Sequence, residues 1–230
     1  MSTRLAYILT ALCGILATIA SAIYYPDLIA PPPPVYNATI AQVTAFATQY
    51  HDAQLLNSWL QATGSFLTVV FFLALIHLAG SAARFAARLT LLVGAIIMAV
   101  VLNEDVFQNN VVLATVNGHP ATALTSLDFT GAFVHVFPIA PSLILMLGIA
   151  LLGTHLLPRV FSYLALILGI GAEILGLAGI FSASAVTVYV FFTGFGQFLW
   201  ILAVAIVLII HALKVADIPV VKEQEALGEA

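Results

Sequence analysis

Six apolar runs, each about as long as a bilayer is thick, constrain this chain more than any other feature. A helix crossing ~30 Å of hydrocarbon needs about 20 predominantly apolar residues. The sequence offers such runs at roughly 5–24, 59–79, 89–108, 129–152, 160–181 and 188–211. The composition fits: 63% of the residues are hydrophobic and 7% charged, against about 25% charged in a typical soluble domain. The mean hydropathy is +1.14. The alternating pattern of an outer-membrane strand is absent, so the spans are expected as helices. The expectation is an all-α integral membrane protein, a six-transmembrane-helix bundle forming one domain over 1–213, followed by a short cytosolic tail at 214–230.

The basic residues orient this bundle. Arg4 precedes the first run, Arg84 and Arg88 separate the second from the third, Arg159 separates the fourth from the fifth, and Lys214 and Lys222 follow the sixth. The other three connections contain no Lys or Arg. The positive-inside rule then places both termini in the cytosol. The first run also has the layout of a signal peptide, Arg4 followed by an apolar core and Ala20-Ser21-Ala22, and is expected to stay as a signal anchor. Its Cys13 is the only cysteine, which leaves no intrachain disulfide. Compactness and short loops suggest a bacterial inner membrane, and nothing in the charge distribution points to nucleic acid.

The first outer connection is the longest. Pro31 to Pro34 make a stiff spacer, and Asn37 or Thr39 is expected to cap a helix that runs into the second span. Ile40, Val43, Phe46 and Tyr50 recur at helical spacing, as in an amphipathic helix on the outer interface. That segment packs over the bundle mouth or acts as a lid. Asn37-Ala38-Thr39 is a glycosylation sequon, relevant only in a eukaryotic secretory pathway. Asn117-Gly118 and His119-Pro120 mark a turn, with Ser126 or Asp128 as the expected N-cap of the fourth span.

Asn103, Glu104 and Asp105 interrupt the third run. An acid in hydrocarbon costs at least ~2.5–3.5 kcal/mol on insertion scales, so it usually persists with a partner or a task. Neighbouring helical residues point about 100° apart. One acid, Glu104, is therefore expected to face the bundle, and Asp105 to reach for the outer headgroups. Gln108 neighbours both. Glu173, alone among apolar residues of the fifth span, and His135 on the fourth fall ~10 Å below the same outer boundary at 1.5 Å per residue.

Other polar residues join them at that level. Gln61, Ser65 and Thr68 share a face of the second span, with Gln54 and Ser58 continuing it. Tyr189, Thr193 and Gln197 share a face of the sixth, with Trp200 below. The inner halves differ: 71–76, 91–97, 143–152 and 201–210 contain no polar side chain. Polar groups at membrane depth face the bundle interior or a water-filled cavity, so a polar pocket open to the outside is expected above a dry cytosolic plug. Gly169 and Gly176 flank Glu173 on one helix face, which lets a neighbour approach closely. Gly131, His135, Pro138 and Ser142 share a face of the fourth span. Pro138 and Pro141 are expected to kink it, and Gly194 and Gly196 to loosen the sixth beside Gln197.

The candidate binding residues are thus Glu173, Glu104, His135, Gln197, Asp105, Gln61, Asn103, Gln108, Thr193 and Trp200. His77, His155 and His211 fall at matching cytosolic depth, but helix C-termini and the interface favour histidine anyway, and no HxxxH or ExxH pairing accompanies them. No cofactor is assigned. No span carries a lysine for a retinal Schiff base, and no two histidines face each other as a haem pair would require. Nucleophile-elbow, Walker, dinucleotide and CxxC motifs are absent.

Three function classes remain. The first binds or transports a small molecule, cation or proton in an outward-facing cavity. The second is an intramembrane enzyme acting on a lipid or apolar substrate through His135 and an acid. The third is an accessory subunit whose polar groups join helices or a partner, a second copy included. A simple pore is disfavoured, because a conduction path needs a polar lining or a gate along its whole length.

Overall fold

The computed structural model describes residues 2–24, 29, 31, 34, 38–133 and 142–215. Among them are seven α-helices and no strand: α1 (Thr3–Tyr24), α2 (Ile40–Leu78), α3 (Phe85–Val116), α4 (Pro120–Phe133), α5 (Leu143–Leu151), α6 (Arg159–Gly179) and α7 (Ala183–Val215). Five of them, α1, α2, α3, α6 and α7, are long and apolar enough to cross a membrane. Their outer faces suit lipid. Leu5, Leu9, Leu12, Leu16 and Ile19 of α1 are all exposed at helical spacing, a continuous apolar stripe that water would penalise.

The fourth expected span, 129–152, is not one described helix. α4 ends at Phe133 and a separate nine-residue α5 begins at Leu143. Residues 134–141, which include His135, Pro138 and Pro141, lie outside the described residues, as does Asn37. Ser142 starts α5 as its N-cap, its side chain accepting from the Leu145 N–H. At the other end Arg84 donates to the carbonyls of Ala150 and Leu152. A helix this short leaves most of its terminal N–H and C=O groups without intrahelical partners, and here other elements supply several.

Three helices, α2, α3 and α7, outrun their expected spans. α2 has 39 residues, about 58 Å at 1.5 Å each, well beyond the hydrocarbon thickness. Its N-terminus is a capping box in which Thr39 and Gln42 satisfy each other's backbone N–H. The amphipathic segment does not lie apart on an interface: it continues into the second span through a kink at Tyr50 (φ −119°, ψ 20°). Val43, Phe46 and Ala47 are buried beside Val111, Val112, Ala123 and Leu127, so the N-terminal part of α2 and the C-terminal part of α3 pack with α4. Pro120 opens α4, where a missing N–H costs nothing. Ser126 and Asp128 are therefore inside that helix rather than capping it. Gly118 (φ 82°) makes the expected turn after α3. α7 also takes in Lys214, in its last turn. The expectation of lysine-free helices therefore holds only short of that terminus.

Neighbour relations close a ring. α1 packs on α2, α2 on α3, α3 on α5, α5 on α6, α6 on α7 and α7 on α1. The short α5 thus occupies the ring position expected of the fourth span, and α4 braces α2 and α3 from one end. Towards the end that carries Arg84 and Arg159, the ring is filled by Phe71, Phe72, Leu75, Leu147, Ile201, Val204 and Leu208, all with no exposed surface. Lipid tails are as apolar as these side chains, so close packing rather than exclusion from water holds this part. Small residues permit it. A Cβ on Gly14 would come within 2.8 Å of the Phe71 ring, and one on Gly169 within 2.4 Å of Leu145 Cβ.

Candidate functional site

Above that apolar filling the ring encloses a polar cavity of about 140 Å³. The stripe Gln61, Ser65 and Thr68 forms one wall from α2, and Tyr189, Thr193 and Gln197 form another from α7. α1 adds Ser21 and Tyr24, and the start of α5 adds Ser142. The two stripes meet because α2 and α7 both flank α1. The Gly64 position is what brings α1 close, since a Cβ there would lie 2.9 Å from Ser21 Oγ.

The same faces turn apolar within one helical turn. Phe72 follows Thr68 by four residues and Trp200 follows Gln197 by three, so each continues its stripe. Their rings meet edge to face, centroids 5.9 Å apart. Trp200 is buried and donates its indole N–H to the Phe161 carbonyl at 2.9 Å. It thus belongs to the apolar packing one turn beyond the cavity-lining residues, with its one polar atom already engaged, rather than to the lining.

Glu104 is reached through Gln61. Gln61 Nε2 donates to one Glu104 carboxylate oxygen at 2.7 Å, and Gln108 Nε2 donates to the other at 3.1 Å. Gln54 Nε2 in turn donates to Gln108 Oε1 at 2.8 Å. All four side chains are buried, so an amide chain runs along the α2–α3 seam with every NH₂ directed towards the carboxylate. Charge-assisted bonds of this kind are roughly twice as strong as neutral ones. Glu104 faces the bundle as expected.

Asp105 does not follow expectation. It is as buried as Glu104, each 6% exposed, instead of reaching headgroups. α3 is packed by α2, α4 and α5 on different sides, which leaves neither acid an outward path. Neither Asp105 oxygen has a hydrogen-bond partner. Asn103, by contrast, is exposed and donates to Ala99 O of its own helix at 2.7 Å.

Glu173 has a definite partner. Its Oε1 accepts the Ser142 N–H at 2.6 Å, at the N-terminus of α5, where a negative group complements the helix dipole. Arg84 complements the opposite end. Glu173 and Glu104 therefore have separate sets of partners, and His135, proposed to join them, is outside the described residues. Glu173 touches the cavity through Ser142 and its neighbour Ala172, both in the lining.

The three end histidines do not assemble. His77 and His155 are exposed, and His211 is tilted against Tyr7 at 6.0 Å. No group of three His, Cys, Asp or Glu side chains able to hold a metal occurs among the described residues.

Sequence reasoning passed over Ser21, Tyr24 and Asn57. Ser21 reads as part of a small-residue cleavage motif, and Tyr24 only as the end of the first run. Asn57 is three residues from Gln54 on the same face of α2, a spacing that would have revealed it. A second, apolar hollow of about 780 Å³ lies between α1 and α7 and shares Gly194 and Phe198 with the polar cavity. No protein-family model, curated protein or solved structure matches the chain.

Proposed function

We propose that this is an integral membrane protein of the bacterial plasma membrane, which binds a small polar or cationic solute in an outward-facing cavity and passes it inward. The observation that carries this reading is the change of character along single helix faces: Gln61-Ser65-Thr68 and Tyr189-Thr193-Gln197 line a cavity, and one turn on along the same faces Phe72 packs against Trp200. A concave space with a few polar groups converging from two helices suits a small ligand. The orientation follows the arginines, which put the apolar packing on the cytosolic side.

Size narrows the ligand. About 140 Å³ is well short of the ~300–1,000 Å³ of sites for drug-sized molecules, which favours an ion or a solute of a few heavy atoms. An outward-open, inward-closed form is one of the two states that alternating access requires, with the site near mid-membrane between helices that include a broken one. The apolar packing is then the gate that another state opens.

The test is uptake into proteoliposomes of radiolabelled sodium, rubidium and methylammonium. At least one is expected to enter faster than in protein-free vesicles, and the rate to fall about tenfold or more in Gln197→Leu, which replaces a polar wall group by an apolar one. Uptake equal to that of empty vesicles for all three probes contradicts the reading.

A further inference from the structure

Among the described residues, the side-chain polar atoms that are buried without a hydrogen-bond partner are all oxygens, and all lie on two facing stretches. They are Gln54 Oε1, Asn57 Oδ1, Ser58 Oγ and Gln61 Oε1 on α2, with both Asp105 carboxylate oxygens and Asn109 Oδ1 on α3. Buried polar groups are paired as a rule, and an orphan asks for an explanation. One orphan would be incidental. Six of the seven can only accept, and the Ser58 hydroxyl can accept as well as donate, so together they offer lone pairs to something that brings positive charge.

Among the described residues, no basic side chain is bonded to these oxygens. The amide NH₂ groups of Gln61 and Gln108 are directed at Glu104, and that of Gln54 at Gln108. This polarity turns the amide oxygens of Gln54 and Gln61 away from the carboxylate. No Lys or Arg occurs at positions 5–83 or 89–158. The ion pair found among the described residues, His51 with Asp52, is at the exposed outer part of α2. Glu104 has a donor on each oxygen, whereas Asp105 has none. One carboxyl group is left without a donor.

Register places the orphans beside the cavity. The Gln61–Glu104 bond sets these residues level across the seam. Asp105 lies four residues beyond Val101, which lines the cavity, and Ser58 three before Gln61, which also lines it. On each helix the orphan is therefore one turn further out on the cavity-facing side. Ser58 is 2% exposed, Gln61 8% and Asp105 6%. Asn57 points about 100° away from Ser58 and is not needed.

We propose that Asp105, Ser58 Oγ and Gln61 Oε1 bind one small monovalent cation, an alkali-metal ion or ammonium, between α2 and α3 at the mouth of the cavity. Oxygen-only ligands suit a hard cation. A single unmet carboxylate suits one positive charge, whereas Ca²⁺ usually takes several carboxylates within six to eight oxygens. The site rests on the transport reading only for its purpose, as an entry or coupling site; the binding itself stands on the orphaned oxygens.

Thermal unfolding of the purified full chain in nanodiscs tests it, in NaCl, KCl or NH₄Cl against N-methylglucamine chloride at equal ionic strength. At a hundredfold excess over Kd, a saturable rise in Tm of about 5–10 °C is expected with at least one small cation. The rise should vanish in Asp105→Asn, and Ser58→Ala should weaken the apparent affinity about fivefold. Equal Tm in all four salts overturns the proposal, as does a rise that survives in Asp105→Asn. If Asp105→Asn does not fold, Ser58→Ala decides, and an unchanged affinity there overturns the site. A cation-dependent Tm without uptake keeps this site and removes the transport reading, and uptake without a cation-dependent Tm does the reverse.

Discussion

The two ends of the helix ring are built from the same helices but held by different forces. At the arginine-bearing end Phe71, Phe72, Leu147, Ile201 and Leu208 are packed without exposed surface, and lipid would solvate them equally well. Fit alone keeps them together. At the other end Gln54, Gln108, Glu104 and Gln61 are joined by hydrogen bonds across the α2–α3 seam, in surroundings where an unmade bond has little water to replace it. One end should respond to lost volume and the other to a lost partner. On the proposed reading, that difference keeps one end closed while the other admits a polar ligand.

The largest effect is expected where a shared partner is removed. Glu104→Leu leaves the Gln61 and Gln108 amides without their acceptor and should lower stability by about 3–5 kcal/mol. A reversible unfolding titration in mixed micelles measures this, and a loss under about 1 kcal/mol would mean that the seam is not held by this chain of bonds. Phe71→Ala should cost less, about 2 kcal/mol, because only the cavity term of ~24 cal/mol per Å³ applies when lipid replaces water as the reference. If Phe71→Ala proves the costlier of the two, the contrast between the ends is reversed.

Glu173→Leu removes the acceptor at the start of α5 and should cost about 1 kcal/mol, as other caps do. Glu173→Gln keeps an acceptor oxygen and should recover most of that loss in the same titration. Equal losses would show that charge, not capping, is what Glu173 contributes. The smallest effect is expected at Gly194, where an added Cβ would meet nothing within 4 Å. Gly194→Ala should change stability by less than about 0.5 kcal/mol, while narrowing the wall between the polar cavity and the apolar hollow. A large destabilisation there would mean that the wall is packed rather than open.

Much of this was legible in the chain. Apolar runs mark five of the long helices, and helical spacing alone groups Gln61-Ser65-Thr68 and Tyr189-Thr193-Gln197 into the walls that face each other. The fourth run was not legible, because hydropathy counts apolar residues and is blind to where a backbone ladder stops. The break is marked by Ser142, whose side chain caps α5, and by Glu173, whose carboxylate takes the Ser142 N–H from another helix. The latter is a long-range contact that no local pattern shows. The ends of α2 and α3 were set too short for a similar reason. Gln54, Asn109 and Asn110 look like interface residues, yet Asn110 donates to Ser126 of α4 at 2.7 Å and the helices continue. Asp105 departs from its expected place at the headgroups because the 100° between adjacent side chains frees one acid only on a helix with an open side. With α2, α4 and α5 around α3, both directions lead into protein.

The account depends on a cavity that opens away from the arginines and stops short of the packed Phe72 and Trp200. Single-cysteine labelling in a Cys13→Ser background tests this most directly, with Thr193→Cys as the probe in the cavity wall and Val204→Cys as the control in the dry end. A membrane-impermeant methanethiosulfonate should modify Thr193→Cys when added on the side of the Asn117-Gly118 turn, fail to do so from the arginine side, and leave Val204→Cys untouched from both. Modification of Thr193→Cys from the arginine side, or from neither side, would contradict the account.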